Sequence, residues 1–147
     1  MANHTVAGGP LAGVRWYEVR NPSTSPSVFQ QGTVVTQDVD FWMGSIAMDK
    51  LGDIALGFSA SSDALDPSVE IVGRTPADTG GDMSGPVTLA IGTGVQKNSF
   101  HRWGDYSSMA VDPQDGCTLW YAQEYYLVTG SFNWSTRISS FKFNSCK

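Results

Sequence analysis

Ser45-Ile46-Ala47-Met48-Asp49 returns, at an offset of 63 (112 − 49), as Ser108-Met109-Ala110-Val111-Asp112. After a one-residue insertion, Gly52-Asp53-Ile54-Ala55-Leu56 aligns with Gly116-Cys117-Thr118-Leu119-Trp120. Each copy reads as an apolar strand, an Asp, a tight turn holding Gly, and a second apolar strand. A third strand follows in each, Val69-Glu70-Ile71 in one copy and Thr136-Arg137-Ile138 in the other. Val14-Arg15-Trp16-Tyr17 fits the same third element of an earlier copy. A repeat on this scale implies one supersecondary unit stacked on others, because a single unit cannot bury its apolar face alone.

Outward from the repeat, the chain reads as strands throughout. Short β-branched and aromatic runs are bounded by Gly, Pro, Asp and Ser, and no window holds a 3.6-residue apolar period unbroken. The predicted strands are Val14–Arg20, Val28–Val35, Met43–Asp49, Ile54–Ala60, Val69–Arg74, Val87–Gly92, Tyr106–Val111, Thr118–Glu124 and Thr136–Phe143. The expected class is all-β. The unit is an antiparallel four-stranded meander, with strands a, b, c and d. Residues 1–40 supply c and d, residues 41–94 a complete unit, and residues 95–147 a unit lacking its last strand.

Composition agrees. The 147 residues carry 16 Gly and 12% aromatics but only 16% charged residues, which suits tight turns and packed sheets. The net charge of −5 gives no counter-charge to nucleic acid or an anionic membrane, so neither is expected as a partner. No apolar run reaches the ~18 residues of a membrane span, so no membrane insertion is expected. Phosphate-loop and metal-ligand spacings are missing, so no cofactor and no metal are expected. Met1-Ala2-Asn3-His4 opens without the basic region and apolar run of a signal peptide.

The sequence resembles a family of secreted bacterial β-propeller proteins, often described as sialidase-like. The resemblance lies in Val14-Arg15-Trp16-Tyr17-Glu18, Gly44-Ser45-Ile46-Ala47-Met48-Asp49, Arg102-Trp103-Gly104-Asp105-Tyr106-Ser107 and Arg137-Ile138-Ser139-Ser140-Phe141-Lys142-Phe143. It implies that each unit is a propeller blade, giving about two and a half blades where four to eight are needed to close a ring. The sialidase Asp-box is matched only at Gly116-Cys117-Thr118. Gln114 replaces its Asp, Trp120 comes one position late, and the five arginines form no recognisable triad. Two outcomes follow for a propeller piece: assembly of copies into a homo-oligomeric ring, or completion by the rest of a longer propeller chain. The competing fold is a self-contained nine-stranded sandwich.

Cys117 begins strand b of the last unit, and Cys146 lies just past the end of its strand c. Antiparallel pairing puts those two points side by side, so a disulfide is predicted, against the alternative of two unrelated buried thiols. A disulfide favours an oxidising compartment, extracellular or periplasmic.

The d→a and b→c loops share one end of a propeller, the usual functional face. His101, Arg102, Asp105 and Tyr106 form the candidate catalytic group there. The histidine would act as acid or base, the arginine as an anion holder, and the aspartate as a second acid or base. Against that stands a structural reading, in which Arg102 and Asp105 pin a loop. Asp40, Trp42, Trp103, Tyr126 and Trp134 are the candidate ligand contacts, with Tyr126 and Trp134 favoured because they lie on loops. Asp49 and Asp112, each before a tight turn, read as turn formers. The functional expectation is recognition of a carbohydrate or other small-molecule ligand. The alternatives are a hydrolase or lyase acting on a glycan or small ester, and a non-catalytic assembly module.

Overall fold

The computed structural model describes residues 1–100 and 102–147, so His101 lies outside the described residues. The fold is all-β, with no helix among the described residues. Its strands are β1 (Ala2–Ala7), β2 (Ala12–Arg20), β3 (Ser27–Val34), β4 (Asp40–Met48), β5 (Ile54–Ser62), β6 (Leu65–Arg74), β7 (Val87–Ala90), β8 (Ser108–Val111), β9 (Leu119–Tyr125) and β10 (Ser135–Phe141). They form three antiparallel meanders, β1-β2-β3, β4-β5-β6-β7 and β8-β9-β10, and none closes on itself. Strand β1 was not anticipated. Ala2-Asn3-His4-Thr5-Val6-Ala7 is polar and half-exposed, and its pairing with β2 carries it rather than any apolar signal of its own. The first sheet therefore has three strands where two were expected. Tyr106 also falls outside its expected strand, because β8 begins at Ser108.

The sheets stack as three layers, not as a two-sheet sandwich. β5 lies at the centre and is buried without interruption from Ile54 to Ala60. Its alternate residues Ile54, Leu56, Phe58 and Ala60 pack with Val14 and Trp16 of β2. Ala55 packs the other way, with Leu119 and Tyr121 of β9. A strand with apolar neighbours on both faces loses the polar alternation of a one-sided strand. Such burial is worth about 1.5–3 kcal/mol for each large side chain. Gly57 makes the second interface close: a Cβ there would overlap the Tyr121 ring.

The pairings revise the alignment of the repeat. Met48 pairs with Ile54 across the first turn, and Val111 pairs with Leu119 across the second. The second turn is thus longer by two residues, not one. Ile46 pairs with Leu56 as Met109 pairs with Tyr121, so Leu56 corresponds to Tyr121 and not to Trp120. A one-residue difference in a strand exchanges its two faces. Tyr121 is therefore in the core, and Trp120 points away from it, 46% exposed.

Both turns are built on the expected aspartates. Asp49 Oδ1 accepts from the N–H groups of Leu51 and Asp53 at 2.8 and 3.0 Å. Asp112 Oδ1 accepts from the N–H of Gln114 at 2.9 Å, and Oδ2 from Trp120 Nε1 at 3.1 Å. Gly52 and Gly116 supply the left-handed φ values of 88° and 64° that end the turns. The longer turn has a further anchor in Asp115, which accepts from the N–H groups of Cys117 and Thr118 at 2.8 Å and from Thr118 Oγ1 at 2.7 Å. These donors hold its pKa down at about 2. Lys50 bridges the two turns, its N–H reaching the Gly116 carbonyl at 2.9 Å and its Nζ the Asp115 carbonyl at 2.8 Å.

The predicted disulfide is present. Cys117 and Cys146 are bonded, 5.5 Å apart at Cα, and both are fully buried. Closing a loop across a sequence separation of 29 contributes about 3–4 kcal/mol, mainly by restricting the unfolded chain. Among the described residues, no helix is long and apolar enough to cross a membrane.

Candidate functional site

The loop from β7 to β8 and the loop from β9 to β10 run side by side and bond to each other. Thr93 donates through N–H to the Tyr126 carbonyl at 2.9 Å, and through Oγ1 to the Leu127 carbonyl at 2.7 Å. Gly130 N–H reaches the Val95 carbonyl at 3.1 Å, and Lys97 N–H reaches the Gly130 carbonyl at 2.8 Å. Ser131 Oγ and Asn98 Nδ2 add bonds of 2.7 and 2.8 Å to the opposing backbone. Gly94 permits the contact, since a Cβ there would strike the Val128–Thr129 backbone. These bonds join the two long loops into one wall.

Beyond this wall the chain turns back through Arg102–Tyr106. Gly104 takes a φ of 57°, and its N–H donates to Glu124 Oε2 at 3.0 Å. Arg102 and Asp105 form an ion pair beside it. Trp103 is fixed on three sides. It stacks on Tyr126 with ring centres 5.4 Å apart, meets Trp42 edge-on at 6.1 Å, and donates from Nε1 to Ser59 Oγ at 2.9 Å.

A cavity of about 440 Å³ opens between this turn, β9 and the loop wall. Phe100, Trp103, Tyr106, Phe132 and Trp134 give it aromatic surface. Among the described residues, Arg102, Asp105 and Glu124 are its charged groups, and Gln96, Asn98, Gln123 and Thr136 its neutral polar ones. Phe100 and Phe132 pair at 6.0 Å. Trp134 is 53% exposed and Tyr106 92% exposed, so both rings are accessible. An apolar lining with a few convergent polar groups is the usual make-up of a small-molecule site.

Of the residues singled out by sequence, Arg102, Trp103, Asp105, Tyr106 and Trp134 come together at this cavity. Three others stand outside its lining. Asp40 is spent on structure, its Oδ1 accepting from Ala12 N–H at 2.7 Å across the first two sheets. Trp42 packs behind Trp103. Tyr126 was expected as an accessible loop contact, but it is fully buried, because the joined loops close over it and Trp103 covers its ring. Its hydroxyl lies 3.3 Å from Gln96 Nε2.

Glu124 is the residue that sequence reasoning missed. Burial raises its pKa, the Gly104 N–H bond lowers it, and the nearby Asp105 charge raises it further. Its Oε1 is buried, and no group among the described residues donates to it. In the one-residue alignment Glu124 falls opposite Ala60, a core position. The two-residue alignment puts it opposite Ser59, the residue that receives the Trp103 bond, and so next to the loop wall. Among the described residues, no three His, Cys, Asp or Glu side chains converge as a metal site. No protein-family model, curated protein or solved structure matches this chain.

Proposed function

We propose that the chain is a β-propeller segment, each sheet a blade, that recognises glycans at the loop end of its last sheet. The observation that carries this reading is the cavity itself. It combines exposed aromatic faces, which suit the apolar side of a pyranose ring, with amide, hydroxyl and carboxylate groups that suit its hydroxyls. Aromatic residues on a hydrogen-bonded wall lose little freedom on binding, so contact area is gained at low entropic cost. The buried disulfide supports an extracellular or periplasmic setting. Catalysis at the Arg102–Asp105 pair is the weaker reading, since the two charges already satisfy each other. Calorimetric titration with oligosaccharides tests the proposal. Trp134→Ala is expected to weaken binding by about tenfold or more with the fold intact. Unchanged affinity in that variant would overturn it.

Assembly is a second reading, with its own observation. Ile71 on β6 is packed against the third sheet, whereas Ile138, its counterpart on β10, is 64% exposed. Trp120 is exposed on the same outer face. A second copy is the proposed cover, because apolar sheet faces of this kind rarely stay open to water. Light scattering is expected to give a multiple of the 15.8 kDa chain mass. A monomeric mass would contradict assembly of copies.

A further inference from the structure

The wall of joined loops is charged differently from the rest of the chain. Residues 91–104 and 125–137 hold Lys97, Arg102 and Arg137 and not one Asp or Glu, although the whole chain has 14 acidic residues against 9 basic ones. Asp105 and Glu124 border these segments, the first paired with Arg102 and the second bonded inward to Gly104 N–H. The net charge of −5 therefore sits elsewhere, and the wall is a basic region on an acidic protein. The wall is also apolar where it meets water. Phe100, Leu127, Val128, Phe132 and Trp134 each leave half or more of their surface exposed. Its polar side chains are spent on its own backbone. Thr129 Oγ1 accepts from Val95 N–H at 3.1 Å, and Asn133 Nδ2 donates to the Val128 carbonyl at 2.8 Å. Thr93, Asn98 and Ser131 are bonded to the opposing loop. A protein interface carries about one hydrogen bond per 100–200 Å². With these five groups turned to the wall's own backbone, the wall offers a partner chiefly apolar area and positive charge, neither of which is directional.

We infer that the wall docks onto the surface of a lipid bilayer containing anionic lipid. This goes beyond the glycan reading and does not rest on it. No strand enters the bilayer; the loop tips reach only its headgroup layer. Binding at that depth grows with the apolar area buried and with attraction between cations and anionic lipid. Phe100, Leu127, Val128 and Phe132 supply the area. Lys97 and Arg102, both exposed, supply the charge. Trp134 suits the interface, where an indole buries its apolar body and keeps its N–H among polar groups. The bonds between the loops fit the same setting, because a backbone group carried toward hydrocarbon needs a partner that lipid tails cannot give. The acidic remainder of the chain is repelled by the same lipid, which turns the wall toward the bilayer.

Co-sedimentation with phosphatidylcholine vesicles, prepared with and without phosphatidylglycerol, tests this. At low ionic strength the wild-type protein is expected to bind the mixed vesicles at least about tenfold more tightly than the pure ones. Leu127→Ser combined with Val128→Ser is expected to weaken binding to the mixed vesicles by about tenfold or more. Neither residue lines the cavity, so this outcome does not depend on sugar binding. Lys97→Glu is expected to abolish the preference for mixed vesicles, with the circular-dichroism spectrum unchanged. Wild-type protein that stays in the supernatant with both vesicles would overturn the inference. So would vesicle binding that survives both sets of changes. A fall in light-scattering mass on Leu127→Ser with Val128→Ser, measured without vesicles, would assign the surface to a second copy and overturn it as well.

Discussion

The two outer faces of the stack are chemically different. On the outer side of β1–β3, Arg15 donates to the Tyr17 hydroxyl at 3.1 Å and to Thr33 Oγ1 at 2.9 Å, and its guanidinium lies 5.3 Å from the Tyr17 ring centre. His4 meets the same tyrosine edge-on, with Nε2 3.4 Å from its hydroxyl. These groups pair with one another and stand well in water. On the outer side of β8–β10, Trp120 and Ile138 are exposed, and the aromatic cavity lies at the loop end. On the first face the polar groups satisfy one another, and Val19 and Val28 are exposed at the far end of the strands. The other leaves a large aromatic and a large aliphatic side chain in water.

The contrast depends on the core beneath the second face, and the largest expected effect comes from there. Tyr121 lies flat over Gly57 and is fully buried. Tyr121→Ala would leave a cavity between the second and third sheets that a glycine cannot fill. The expected loss is about 3–5 kcal/mol in chemical denaturation, with a reduced denaturation midpoint. A loss below about 1 kcal/mol would mean that the third sheet is held mainly by the disulfide and not by packing.

A smaller effect on stability, but a sharper one on the comparison, comes from the faces themselves. Trp120→Ser combined with Ile138→Ser is expected to cost about 0.5 kcal/mol at Ile138 and about 1 kcal/mol at Trp120, where the bond to Asp112 is lost. The same pair is expected to abolish self-association in light scattering. Arg15→Ala on the opposite face is expected to alter neither. If Arg15→Ala also dissolved the assembly, copies would be meeting head to tail through both faces.

Much of this was legible in the residues, and the failures have one cause. The repeat Ser45–Asp49 and Ser108–Asp112 located the strands and the turns, because turn chemistry is local and leaves its mark in Asp and Gly. The same repeat located the disulfide, because antiparallel pairing is symmetric. Register was not legible to the last residue. Gly52 and Gly116 align by eye, yet the pairings require one further insertion, and that single step decides whether Trp120 or Tyr121 faces the core. Glu124 was missed for the same reason. Tyr126 and β1 failed differently. Tertiary pairing of two loops buried the first, and pairing with β2 recruited the second, so neither outcome is written in its own segment.

The longer turn that sets this register has a measurable signature in acid. Asp115 holds the N–H groups of Thr118 and Cys117 and the Thr118 hydroxyl, and these bonds lower its pKa to about 2. In the unfolded chain the same carboxyl titrates near the ordinary aspartate value of about 3.9. A group depressed in the folded state contributes stability in full above its unfolded value and loses it as pH falls through its folded value. The contribution of Asp115 is thus present at neutral pH and disappears between about pH 4 and pH 2. Asp115→Asn keeps an oxygen acceptor but removes the charge. Its stability relative to the wild type is expected to be lower at neutral pH, with the gap closing as the pH drops through that window. A gap of constant size down to pH ~2 would show that the turn is held by shape alone, and that the carboxylate charge has no part in sending Trp120 outward and Tyr121 in.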